Sequence, residues 1–222
     1  MDFRLIYDTL YNAYGEQYWW PADSFEEIII GTILTQNTNW TNVEKAIANL
    51  KRAQLCGLSQ IANADHERLA ALIRPSGYFN QKAKRLQIVA RAIDVSNIEN
   101  ADLWESRKQL LSINGIGPET ADSILLYAFN KPIFVVDTYT KRMFMRLGLK
   151  LDNYSYETIQ TSFMNNLEHD VQLFNEYHAL IVRHCKVSCK AKAECLGCCL
   201  EMFCYERNQE RGTMNEVINS ES

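Results

Sequence analysis

Three groups of side chains in this sequence have the types and spacing for chemistry. The first is a single carboxylate, Asp137, which follows the apolar run Ile133-Phe134-Val135-Val136. A fixed carboxylate can orient water and oppose a developing positive charge; it can also cap the helix that follows, and one Asp can do both. The second is the hairpin Gly115-Ile116-Gly117-Pro118. Two glycines allow positive φ twice, Pro118 opens a helix where its missing N–H costs nothing, and Ile116 is expected to fold inward and pin the turn. The backbone N–H groups at such a helix start bind an anion, although a plain turn between helices uses the same residues. The third is a run of cysteines, with six of the seven inside Cys185–Cys204. Crowding of this kind without a secretory signal points to metal rather than disulfides.

Zinc usually takes pairs of ligands from two places. Cys189-x5-Cys195-x2-Cys198-x5-Cys204 is instead one compact wrap that suits a cubane on four thiolates, with Cys185 and Cys199 as further candidates. Near the start of the chain, Tyr18-Trp19-Trp20-Pro21 puts three aromatics on an irregular segment, either a packing plug or part of a pocket.

Helical spacing supplies the elements that position these groups. Apolar periodicity predicts helices over Phe3–Tyr14, over Phe25–Thr35 with Ser24-x-x-Glu27 as a capping box, and from Thr41-x-x-Glu44 through Leu50. Further helices are expected over Asp65–Ile73, Gln81–Ile93, Asp102–Leu111 and Thr120–Phe129, then from Asp137 to about Leu147, over Ser155–Asn166 and over Val171–Val187. Gln36-Asn37-Thr38 and Arg74-Pro75-Ser76-Gly77 are breaks. His178 and His184 read as structural helix histidines, and the tail from Glu206 reads as disordered.

With 222 residues, 47% of them hydrophobic, the chain can bury a core without disulfides. Its first residues, MDFRLIYDTLYNAYG, lack the apolar run of a signal peptide or membrane span, so a cytoplasmic protein with no membrane partner is expected. The net charge of -4 argues mildly against a nucleic-acid partner, since phosphate neutralisation dominates non-specific affinity. Local basic faces offset this. Lys82, Lys84, Arg85 and Arg91 lie on one helix and Lys141, Arg142 and Arg146 on another, each of which can equally be a solvated face.

The order LxxINGIGPETAD followed by VVDTYTKR resembles the helix-hairpin-helix and Gly/Pro…Asp signature of the endonuclease III superfamily of DNA glycosylases. GPETAD, the early Trp19-Trp20 pair and GYFNQKA are most similar to its 3-methyladenine DNA glycosylase III, or endonuclease III-related, branch, over roughly residues 11 to 205. The resemblance implies an all-α, two-lobed fold: a helical domain over 22–131, and a second lobe of 1–21 with 132–205. It implies a monomer acting on double-stranded DNA that carries a damaged base.

Asp137 then falls at the catalytic position. Glu119 stands where bifunctional members carry a lysine nucleophile, and a carboxylate cannot form an imine, so hydrolysis without lyase chemistry is expected. A flipped base needs a pocket, and Trp19, Trp20 and Trp40 with Glu119 are its candidate walls, electron-rich faces that favour a cationic alkylated purine. Gln36 matches the residue that fills the space the base vacates, Gly115, Ile116 and Gly117 contact the DNA backbone, and Lys82 near its helix start approaches phosphate. Cys189, Cys195, Cys198 and Cys204 match a [4Fe-4S] loop, with five residues in the first gap where the family usually has six. A bifunctional lyase for oxidised pyrimidines, a mismatch glycosylase and a non-catalytic iron–sulfur DNA-binding module are the alternatives.

Overall fold

The computed structural model describes residues 1–206 and 208, and the described residues contain helices and no strands. Of the tail expected to be disordered from Glu206, Glu206 itself sits in a helical turn with its carboxylate 3.0 Å from Arg146 Nε, and the residues from 209 onward lie outside the described ones. In chain order the α-helices are α1 (Phe3–Tyr14), α2 (Phe25–Leu34), α3 (Trp40–Arg52), α4 (Leu58–Asn63), α5 (His66–Leu72), α6 (Phe79–Ala92), α7 (Val95–Asn100), α8 (Leu103–Ser112), α9 (Pro118–Ser123), α10 (Thr138–Arg146), α11 (Tyr156–Asn166) and α12 (Val171–Val187). No described helix is long and apolar enough to cross a membrane.

The chain packs as two compact units: Trp20–Ile133, and Met1–Trp19 together with the chain from Phe134. In the first, α2 supplies a fully buried stripe of Ile29, Ile30, Ile33 and Leu34, and α3, α6 and α9 with its continuation over Ile124–Ala128 pack on this helix. Helices α8 and α9 are stapled by Arg107, whose Nε donates to Asp122 Oδ1 at 2.7 Å and Nη2 to Oδ2 at 3.2 Å; Asp122 is wholly buried. In the second unit the core is aromatic. Phe134 stacks on Phe163 with centroids 3.8 Å apart, Phe3 meets Phe163 edge-on at 4.8 Å, and Tyr177 donates from its hydroxyl to the Phe3 carbonyl. Gln160 Nε2 donates to the Phe134 carbonyl, which satisfies one backbone group of the buried run Ile133–Val136.

Local chemistry departs from the expected pattern at three places. Asn39, not Thr41, caps α3: its backbone is extended and its side chain accepts from Asn42 N, while Glu44 takes the Trp40 indole N–H at 2.9 Å. Only Gly115 of the hairpin has positive φ (+97°); Gly117 is extended at φ -97°, ψ 177° and serves as the cap position before Pro118. After Ser123 the second hairpin helix widens into a π turn over Ile124–Ala128.

Candidate active site

Asp137 is the N-cap of α10. Its Oδ1 accepts from Thr140 N at 2.7 Å and from Thr140 Oγ1 at 2.9 Å, so one carboxylate oxygen holds the helix start. The other, Oδ2, faces His178 Nε2 at 3.6 Å. Burial pushes this carboxyl upward, but the imidazole of His178 and the two Thr140 donors outweigh it and hold Asp137 below the ordinary carboxylate range. The result is a carboxylate in a fixed direction with a histidine beside it. By sequence His178 reads as a plain core histidine; its position on α12, seven residues after Val171, carries no local signal that it meets Asp137.

In the other unit, Ile116 is buried and pins the hairpin while Gly117 is exposed, with nothing within 4 Å of where a Cβ would stand. Gln36, just past α2, lies beside this hairpin. Its Nε2 donates to Thr120 Oγ1 at 3.0 Å, and its Oε1 accepts from Arg85 Nη1. The stem of Arg85 lies across Gly115, where a Cβ would come within 2.8 Å of its Cγ. Arg85 is a site residue that sequence reasoning placed only on a basic face.

Lys82 is corrected. It is 3% exposed, and its ammonium donates to the carbonyls of Leu34 at 2.8 Å and Ser76 at 2.7 Å, so it ties the end of α2 to the turn before α6 and reaches no phosphate. Burial, with Arg85 nearby, lowers its pKa to about 8. Its neighbours are similarly engaged. Arg142 and Arg146 hold the cysteine loop, and Arg91, though exposed, donates to the Ala62 carbonyl; Lys84 and Lys141 are the other exposed members of the expected basic faces.

Of the expected pocket aromatics, Trp20 and Trp40 meet edge to face with centroids 5.0 Å apart, and Tyr127, which the sequence had not singled out, stands 5.4 Å from Trp20. Trp20 lies on α2 at Gly31, where a Cβ would approach its ring to 3.0 Å. Trp19 belongs to the other unit. Glu119 is exposed in the first turn of α9.

Cys189, Cys195, Cys198 and Cys204 all line one cavity with His184, Met143 and Arg146, and Cys185 and Cys199 do not line it. The described residues hold no group of three or more His, Cys, Asp or Glu converging on a single ion. A cubane differs from such an ion, because each thiolate binds a separate iron at the edge of a larger body. Helix α10 grips the loop: Arg142 donates to the Cys189 carbonyl at 2.9 Å, and Arg146 donates to the carbonyls of Lys190 at 2.7 Å and Ala191 at 2.9 Å. A bond from the Cys185 thiol and the guanidiniums of Arg146 and Arg142 draw Cys189 down to about 6 against its burial, which favours the thiolate a metal needs. His184 hydrogen-bonds Tyr14 at 2.9 Å, and burial lowers its pKa to about 4.

Residues 30–169 match the family described as HhH-GPD superfamily base excision DNA repair protein. The chain is 49% identical to a putative DNA repair glycosylase, MJ1434, of Methanocaldococcus jannaschii, over 91% of this chain and 95% of that protein. It is 32% identical to endonuclease III of Sulfolobus acidocaldarius over 79% of each. Among solved structures, the H. pylori 3-methyladenine DNA glycosylase MagIII bound to 1,N6-ethenoadenine superposes with a TM-score of 0.71 at 31% identity, covering 84% of this chain and 98% of that one. A non-covalent endonuclease III–DNA complex shares the fold with a TM-score of 0.79 at 21% identity, covering 94% and 96%.

Proposed function

This chain belongs to the HhH-GPD superfamily of base excision DNA repair proteins and is a DNA glycosylase, and from that premise we propose that it hydrolyses the N-glycosidic bond of an alkylated purine such as 3-methyladenine, with no lyase step. The observation that carries this reading is the Asp137 carboxylate, kept charged and aimed by Thr140 and His178. As the bond breaks, its electron pair leaves with the base, neutralising the charge that alkylation put there. Asp137 opposes the cationic sugar left behind, orients a water toward the anomeric carbon and takes its proton. A cationic leaving group needs no strong general acid.

Trp20 and Trp40, with Tyr127 against Trp20, support a pocket whose electron-rich faces favour such a base; Trp19 and Glu119 are the remaining candidates for it. Gln36 fills the vacated space, and Gly115 and Gly117 bring backbone donors to the phosphates of a double-stranded substrate bound by a monomer, while Ile116, buried and with its N–H on the Ile113 carbonyl, pins the turn between them. Glu119, standing in place of a lysine nucleophile, removes the imine route. Cys189, Cys195, Cys198 and Cys204 fit a [4Fe-4S] cluster, because four thiols ring one cavity and Cys189 is already biased to thiolate. Bound there, the cluster supplies four iron–thiolate bonds that cross-link the loop.

The test is base release from duplex DNA carrying 3-methyladenine, with the strand analysed before and after alkali. Free base with breaks only after alkali is expected. Breaks before alkali would restore the lyase, and no release would reassign the substrate.

A further inference from the structure

The Gln36 side chain is held at both ends of its amide. A carboxamide has two nearly equivalent ends, and which end points where is ordinarily decided by its partners. Here one partner leaves no choice. The guanidinium of Arg85 carries donors only, so the atom it meets is the carbonyl oxygen Oε1, and Nε2 must then face Thr120 Oγ1, which accepts. One N–H and one lone pair of the amide remain, in a fixed order.

Arg85 is itself seated. Its Cγ and Nε would lie 2.8 Å and 2.9 Å from a Cβ at residue 115, so any side chain there would displace Arg85 besides straining a backbone at φ +97°. One turn back on α6, Lys82 bonds the Leu34 carbonyl, so the same helix holds both the end of α2 and the side chain just beyond it.

We propose that Arg85 is a positioning residue that sets the polarity of the Gln36 amide, and through it which base the enzyme prefers opposite the lesion. This rests on Gln36 occupying the vacated space. With the amide pinned, its remaining donor and acceptor match some orphaned base edges and oppose others. Without Arg85 the amide can turn over, and every edge is met equally.

The experiment uses the full chain and fluorescence anisotropy on duplexes carrying a tetrahydrofuran abasic analogue opposite A, C, G or T, so it needs no knowledge of the excised base. One hydrogen bond gained or lost corresponds to roughly a 3- to 10-fold spread in Kd among the four duplexes for the unaltered protein. Arg85→Met is expected to compress that spread below about 2-fold while keeping the mean affinity, and Arg85→Lys, which still only donates, to restore part of it. Gln36→Ala should flatten the series, and adding Arg85→Met to it should change nothing further. An Arg85→Met series with the original spread overturns the proposal, as does an equal effect of Arg85→Met with and without Gln36. If Arg85→Met does not fold, loss of the spread in Arg85→Lys, with affinity kept, overturns it too. A series indifferent to Gln36→Ala overturns the Gln36 assignment, and this proposal with it, while leaving the glycosylase chemistry standing.

Discussion

Asp137 has two duties, and its two oxygens allow them to be separated. Oδ1 caps α10 through Thr140 N at 2.7 Å and Thr140 Oγ1 at 2.9 Å, and Oδ2 lies on the His178 side. Asn caps a helix about as well as Asp, whereas Ala forfeits the cap at about 1 kcal/mol. For a chain of this size 1 kcal/mol corresponds to roughly 2–4 °C in Tm. Asp137→Asn should therefore melt within about 2 °C of the parent, and Asp137→Ala about 2–4 °C lower. Both should lose base release alike, by about 10²- to 10⁴-fold, because both remove the charge that orients water. The assays are thermal melting, anisotropy on the abasic-analogue duplex, and single-turnover release from methylated duplex DNA. Binding by Asp137→Asn should be retained. An Asn variant that melts far below the Ala variant, or loses binding with stability intact, would refute this division of labour; one that still releases base at the parent rate would remove Asp137 from the chemistry.

The Asp137 carboxyl is held below its ordinary range, so the stability it contributes is fully present above the unfolded value near pH 3.9 and is lost as pH falls through the lower folded value. His178→Gln should raise the acid limb of the rate–pH profile, and an unmoved limb would show that His178 does not sense Asp137. Lys82→Met should cost about 2–4 kcal/mol by stranding the Leu34 and Ser76 carbonyls, yet leave the salt dependence of DNA binding unchanged. A log–log salt slope shallower by nearly one would return Lys82 to the phosphate. Arg107→Met should destabilise by about 3–5 kcal/mol because Asp122 is left charged and buried, and adding Asp122→Leu should recover most of that loss. Calorimetry on the pair decides it, and full additivity would mean that the two residues do not act as a unit.

The helical class was legible because apolar spacing and caps are local. Ser24, Asp65 and Asp102 announce their helices by accepting from backbone N–H groups a few residues on, and the spacing of Val171–Val187 predicts its helix to the residue. The hairpin was legible because only glycine takes φ +97° cheaply. What the sequence hid depends on partners far along the chain. Lys82 reads as a surface cation until two carbonyls, Leu34 and Ser76, converge on it, and Arg85 gives no sign of Gln36 forty-nine residues away. His178 meets Asp137 only because α12 packs on α10. The two expected basic faces misled for the same reason: most of their side chains bond backbone or neighbouring side chains of their own unit.

The π turn over Ile124–Ala128 makes the position of Tyr127 a matter of chain length as much as of side-chain identity. A π turn holds one residue more than the α turn it replaces. Deleting a single codon within it would heal the helix into regular form and, because the wide turn absorbs its extra residue locally, leave the residues on either side in nearly their present register. The change would fall on the turn itself, which presents Tyr127 to Trp20. A length difference of one residue here among homologous sequences is therefore a change at the aromatic cluster alone, with the rest of the helix kept.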